Sequence, residues 1–328
     1  DAGLATPIEA LLDIIYAYRQ IHIYQIHSNQ RTATKIKKFS LARSFMNNGF
    51  PGVQTSAGKK LSMNDPNVTL LFPSMGELST RALSTVFSKA GYHVPPIVPA
   101  DESILKLGRA NTSCKECLPL ILTTGTLLDY VYNKKQPNEI LVYFMPSASG
   151  PCRFGQYAVF MEDLIKRLEL TDVAVFSLTS DSTYATMGKG FSNQKAWCAI
   201  VIADIMEDLF SLLLVNAQNK DAAILLFNNA FESIIRVLIK GNFNDLSQEL
   251  GYQMKKFSEI PVKRSYDQVP KILLTGEIFV RKDGFSRQKL NEQLAEMGFA
   301  VVCSPTSEWF RYSDYLQKAN GSWASMSV

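Results

Sequence analysis

The chain of 328 residues holds three histidines and five cysteines, and it lacks any phosphate-binding motif. Each scarcity removes a class of chemistry. There is no GxxxxGK[ST], and no GxGxxG stands between a predicted strand and helix, so the chain is not itself an obvious nucleotide hydrolase; "MGKGF" at 187–191 reads as a turn. His22, His27 and His93 lie near none of the cysteine loops. That argues against a histidine-built zinc site and against a cysteine nucleophile with a histidine base. Five cysteines in a chain this long do not make a disulfide scaffold. Charge is equally thin. A net +4, scattered along the chain, is too weak for a nucleic-acid partner, and "KIKK" at 35–38 reads as a solvated helix face. Long apolar runs are missing too: the most apolar stretch, "AWCAIVIADIMEDLFSLLLV", is broken by Asp204, Glu207 and Asp208, which are costly in lipid, so no membrane span is expected. No signal-peptide pattern opens the chain, which reads as cytoplasmic; its start at Asp1 suits a fragment of a longer sequence.

What is present is the balance of a globular protein, 46% hydrophobic and 20% charged, in a chain too long for one core. The pattern predicts an α/β fold: two Rossmann-like parallel-sheet domains joined by a helical segment, the second domain incomplete. Residues 1–65 read as a helical and basic arm, with apolar positions at helical spacing over 7–27. From 66 to 190 strands alternate with helices: "VTLLFPS", "YHVPPIV", "EILVYFMPS" and "DVAVFSLTS" as strands, and three amphipathic stretches between them. Continuous apolar strands of this kind belong to a parallel sheet covered on both faces. Residues 191–262 read as a connector of three helices. Residues 263–328 begin a second α/β pattern with "VPKILLTGEIF" and "FAVVCS" as its two strands.

In open α/β sheets, ligands collect beyond the carboxyl ends of the strands. Cys117 and Cys152 are predicted in loops opening helices on that side, and Cys303 at a strand end. A helix start favours the thiolate, the form that binds metal. Cys114 and Cys117 form a CxxC, but no first strand precedes it as a thioredoxin-type redox pair requires. Cys198, mid-helix, reads as a core residue. Scattered cysteines of soft thiolate character fit an iron–sulfur cluster better than zinc. Ser147 and Ser149 could donate hydrogen bonds in the Cys152 loop or simply close it as turn residues. Arg153 and Gln156 could face the site, and Glu277 follows a strand end where acid–base groups often sit.

The stretches "CKECLPLILTTGTLL", "MPSASGPCRFGQYAVFMEDLI", "DVAVFSLTSDSTYATMGKGF" and "PKILLTGEIFVRKDGFSRQKL" resemble the dehydratase-like part of the large acyl-CoA dehydratase activase-related proteins. These are relatives of the 2-hydroxyacyl-CoA dehydratases and the double-cubane-cluster reductases. The resemblance covers roughly residues 66–318. It implies a [4Fe-4S] cluster held by Cys117, Cys152 and Cys303, with Cys114 a further candidate at a position where relatives commonly carry glycine. It implies an ATP-hydrolysing activator, as a partner or a fused domain, delivering a low-potential electron for ketyl-radical chemistry on an acyl-CoA. Dimers or heterodimers are implied, and a lyase or ATP-dependent reductase component. The competing expectations are a non-catalytic binding or scaffold domain with a structural or absent metal site, and a zinc-stabilised α/β protein.

Overall fold

A computed structural model describes residues 39–96, 98–113, 115–148, 152–178 and 193–308, together with Leu12, Ile15, Tyr16, Arg311, Tyr312 and Tyr315. The chain divides into two compact units, one of residues 1–73 and 100–186, the other of residues 74–99 and 187–328.

The first unit opens with an antiparallel meander, β1 (Arg43–Asn47), β2 (Phe50–Gln54) and β3 (Lys60–Ser62). These residues fall in the stretch expected to be a helical, basic arm. The signal for strands is the pair Asn48-Gly49, both at positive φ, which is the turn chemistry of a two-residue hairpin. Phe45 lies opposite Gly52 in the register and its ring covers the space a Cβ would fill there. Ser44 Oγ donates to the Val175 carbonyl at 2.6 Å. Ser56 and Asp172 bond reciprocally, each backbone N–H donating to the other's side chain at 2.8 and 2.9 Å. The meander is thereby tied to the unit's main sheet.

That sheet is β4 (Val68–Leu71), β5 (Ile140–Phe144) and β6 (Val173–Phe176), parallel and in the order β4-β5-β6. Every residue of the three strands is buried, as the unbroken apolar runs predict. After β4 the chain passes through α1 (Glu77–Lys89), which belongs to the second unit, and returns as α2 (Glu102–Ala110) and α3 (Leu118–Asn133). The expected strand "YHVPPIV" is absent: among its described residues only His93 makes an isolated bridge, because Pro95 and Pro96 offer no N–H to a ladder. Helix α2 was not foreseen; Asp101 caps it, accepting from Ile104 N at 2.9 Å. Between β5 and β6 runs α4 (Tyr157–Arg167), preceded by a 3₁₀ turn at Arg153–Gln156. Leu120, Leu127 and Leu128 of α3, and Met161, Leu164 and Ile165 of α4, share one core with Leu141 and Tyr143 of β5.

Helices dominate the second unit. Helices α5 (Asn193–Asn216), α6 (Lys220–Lys240) and α7 (Phe243–Ser258) fall where the three connector helices were expected, and α1 packs with them through Ala82 and Val86. Side-chain caps begin two of them: Asn219 at α6 and a reciprocal Asn242–Asp245 capping box at α7. Among the described residues, α6 is long and apolar enough by length and composition to cross a membrane, which the sequence reading had not noted. Here it buries Ala223, Phe227, Ala230, Phe231, Ile234 and Leu238, one stripe at helical spacing, with 39% of its apolar window buried.

The chain then forms β7 (Lys271–Leu274), the short α8 (Ile278–Lys282), α9 (Leu290–Glu296) and β8 (Ala300–Cys303). Strands β7 and β8 pair in parallel as a two-stranded sheet. The fold is therefore mixed α/β with small parallel sheets. Among the described residues strand β8 has one neighbouring strand, and side chains of α5 bond along its other edge. Ser211 Oγ accepts from Val301 N at 2.6 Å and Asp208 Oδ1 from Cys303 N at 3.0 Å. Just beyond the strand, Asp204 accepts from Thr306 N and Ser307 N at 2.9 and 3.0 Å. Residues 204, 208 and 211 lie on one helix face, and 301 and 303 point the same way along a strand, so the helix stands in for a missing strand.

Candidate functional site

Two loops meet at the carboxyl end of the parallel β4-β5-β6 sheet. The first, 111–117, ends at Cys117, which is the N-cap residue of α3; its carbonyl accepts from Leu120 N and Ile121 N. Glu116 folds this loop, its carboxylate accepting from Ser113 N and Oγ at 2.9 Å each and from Lys115 N at 3.1 Å. Partial burial works against that charge, yet the hydrogen bonds win and hold the Glu116 carboxyl below its ordinary pKa. The second loop leaves β5 beside the stretch that follows β6: Met145 N donates to Phe176 O and Ser147 N to Leu178 O, both at 2.9 Å.

Side chains join the two loops. Arg153, next to Cys152, donates from its guanidinium to the Lys115 carbonyl at 3.0 Å. Tyr157, at the start of α4, places its hydroxyl 2.6 Å from Cys117 Sγ and its ring 5.4 Å from Phe154, edge to face. Gly155 passes against the Ala148 carbonyl, where a Cβ would come within 2.6 Å. Cys152 is exposed and Cys117 half-buried. Neither thiol bonds a first-turn amide, and Cys152 precedes a four-residue 3₁₀ turn rather than an α-helix. Cys117 thus stands at the start of an α-helix, and Cys152 does not.

The remaining sequence candidates stand as follows. Ser147 Oγ donates to the Gly155 carbonyl at 3.3 Å, the turn-closing arrangement. Gln156 is exposed at the N-cap of α4. Ser149 and Cys114 lie outside the described residues. Cys198 packs at the edge of the helical core, where burial pushes its thiol up. Glu277 is exposed and caps α8, accepting from Val280 N at 2.8 Å.

Cys303 belongs to the second unit and is 3% exposed. Its sulfur lies 3.5 Å from the Arg281 carbonyl and 3.7 Å from the Ser304 carbonyl. Burial pushes this thiol up, and the Glu207 carboxylate adds to the shift against the opposing Lys282, Arg287 and Arg281 cations. Around it lies a charge cluster the sequence reading passed over. Lys282, also 3% exposed, pairs with Asp204 at 3.0 Å and Glu207 at 2.7 Å, and Arg287 meets Glu207 at 2.6 Å. Burial alone would lower the Lys282 pKa, but the two carboxylates outweigh it and the net shift is upward. Asp208 moves up through burial, opposed by its Cys303 N–H and by Lys282 and reinforced by Glu207 and Asp204. The three acids had been read only as interruptions of an apolar run. Their spacing on one face of α5 was the signal for this arrangement.

Among the described residues no group of three or more His, Cys, Asp or Glu converges as a ready metal site. No protein-family model, no curated protein and no solved structure matches the chain.

Proposed function

We propose that the chain is an iron–sulfur protein of the 2-hydroxyacyl-CoA dehydratase kind, one that receives low-potential electrons from an ATP-hydrolysing activator for radical dehydration or reduction of an acyl-CoA. The observation that supports this most is the joining of the two cysteine loops through Arg153 and Tyr157 at the mouth of a parallel sheet, where such sheets collect ligands. The donor chemistry suits the group: sulfur from Cys117 and Cys152, with the Tyr157 hydroxyl as a second partner for one of them. When bound, a cluster supplies one-electron transfer at low potential. The chain's own part is to hold the sulfurs, orient Cys117 through Tyr157 and keep the Cys152 loop against the 115 carbonyl through Arg153. Cys303, which the resemblance adds to the set, keeps its thiol buried as folded.

That burial also favours a second reading, a non-catalytic scaffold whose metal site is structural or lost. Electron delivery separates the two. Anaerobically reconstituted protein, mixed with an ATP-hydrolysing activator of this family, is expected to develop a reduced-cluster EPR signal only when ATP is present. A signal independent of ATP and activator supports the scaffold.

A further inference from the structure

We propose that the outer edge of β7 is a homodimer interface, to which a second copy of this chain adds its own β7 in antiparallel register centred on Leu273. The function proposed above names no such surface, and this one does not depend on a cluster.

The ladder leaves one edge open. In the parallel pairing of β7 with β8, the Pro270 and Leu274 carbonyls accept from Ala300 N and Ser304 N, both at 2.9 Å. Successive strand residues alternate their hydrogen-bonding edge, so the main chains of Lys271 and Leu273 point away from β8. Among the described residues nothing bonds the Leu273 N–H or carbonyl on that side. Exposure follows the same alternation: Lys271 and Leu273 are exposed, Ile272 and Leu274 half-buried. Leu273 is 66% exposed and forms, with Val302, Val201 and Ile205, the apolar side of a cleft of about 800 Å³. Edge strands are commonly blunted by a bulge, a covering loop or a proline that lacks an outward N–H. Pro270 gives no such protection, since its carbonyl, and with it its nitrogen, faces β8.

Three features make a second copy the occupant. The first is charge. Strand β7 carries a cation at its start, Lys271, whose ammonium lies over the Tyr266 ring at 4.0 Å, and an exposed anion just past its end, Glu277. Antiparallel pairing sets each cationic end against the other copy's anionic end, with Lys271 opposite the second copy's Thr275. A slip toward Lys271 would instead bring two ammoniums to diagonal positions on one face. The second feature is the leucine, which meets itself at the two-fold axis and joins the two apolar surfaces. The third is closure. Ser211 and Asp208 of α5 already bond the far edge of β8, so pairing of the two β7 edges leaves no open edge in this sheet, and a dimer forms rather than a fibre.

The test uses the purified full chain without iron, under reductant so that exposed Cys152 forms no intermolecular disulfide. In sedimentation experiments the mass should rise from one chain toward two between about 2 and about 200 µM protein. Hydrogen exchange locates the contact: the Leu273 amide should be protected at the high concentration and exchange freely at the low one, with the α6 amides around Phe231 unchanged. Leu273→Pro removes an N–H that β8 does not use, so the fold stays. Two hydrogen bonds across the axis are lost, and dimerisation should weaken roughly tenfold or more. Leu273→Lys alters a side chain already in water, sets like charges opposite each other and should weaken the dimer similarly, more so at low salt. The proposal is overturned if the wild type stays monomeric at the highest concentration or if its dimer leaves the Leu273 amide freely exchanging. It is equally overturned if that amide is protected at every concentration, which assigns the edge to another occupant, or if both variants dimerise like the wild type.

Discussion

Gly125→Ala is expected to destabilise the first unit by about 3 kcal/mol or more, lowering its unfolding midpoint by roughly 6–12 °C. Helices α2 and α3 cross with their backbones in contact. A Cβ on Gly125 would land on the Ile104 carbonyl, and one on Gly108 would land on the Ile121 carbonyl. The obstacles are main-chain atoms of the facing helix, so no rotamer change relieves them; the helices must separate, and the close packing of Ile104 and Ile121 goes with them. Because α3 begins at Cys117, the separation also moves the first cysteine loop. The same substitution at Gly251, in the exposed middle of α7, meets nothing within 4 Å. There it should stabilise by about 0.5–1 kcal/mol through better helix propensity and a less flexible unfolded chain. Thermal or urea unfolding of the two variants side by side checks both signs.

Lys282→Met should cost the second unit about 3–5 kcal/mol, the penalty of leaving the buried Asp204 carboxylate without its cation. Asp204 keeps the Thr306 and Ser307 amides but loses its ion-pair partner, whereas Glu207 keeps Arg287. The defect should be sensitive to pH in a definite direction. Burial already raises the Asp208 carboxyl against the opposing Lys282 cation, and without that cation it rises further, so its contribution is most favourable at low pH and is lost as pH rises through the folded pKa. The deficit of Lys282→Met relative to wild type should therefore shrink on going from about pH 7 to about pH 5. Urea titrations at two pH values measure all of this.

Much of the scaffold was legible because its signal is local. The strands 68–71, 140–144 and 173–176 are continuous apolar runs, and helices α6 and α7 carry clear periodicity with side-chain caps at Asn219 and Asn242. Local signals were also missed. Asn48-Gly49 announces a hairpin inside a stretch whose basic residues drew the eye, Asp101 announces a helix, and Pro95-Pro96 denies a strand. What could not be read is which element packs on which. Helix α1 follows β4 of one unit and belongs to the core of the other, because Ala82 and Val86 find Ala199, Ile202 and Met206 there.

The cysteines follow the same division. Their place at loop-to-helix junctions and a strand end could be inferred from sequence spacing alone. The partners that give them character could not: Tyr157 lies forty residues from Cys117, Arg153 reaches a main-chain carbonyl at 115, and Asp208 holds Cys303 from ninety-five residues away. Such pairs carry no periodicity. They emerge only when β5 brings its following loop beside the start of α3, and when α5 lies along the edge of β8.

The central claim is that Cys117 and Cys152 together grip an iron–sulfur cluster at the β4-β5-β6 sheet. Iron and acid-labile sulfide counted per chain after anaerobic reconstitution test it most directly. The account predicts about four of each in the wild type, the content of a [4Fe-4S] centre, and near-complete loss in Cys117→Ser and in Cys152→Ser with the fold intact by circular dichroism. A wild-type chain that takes up no iron, or a double variant that keeps its full complement, would contradict it.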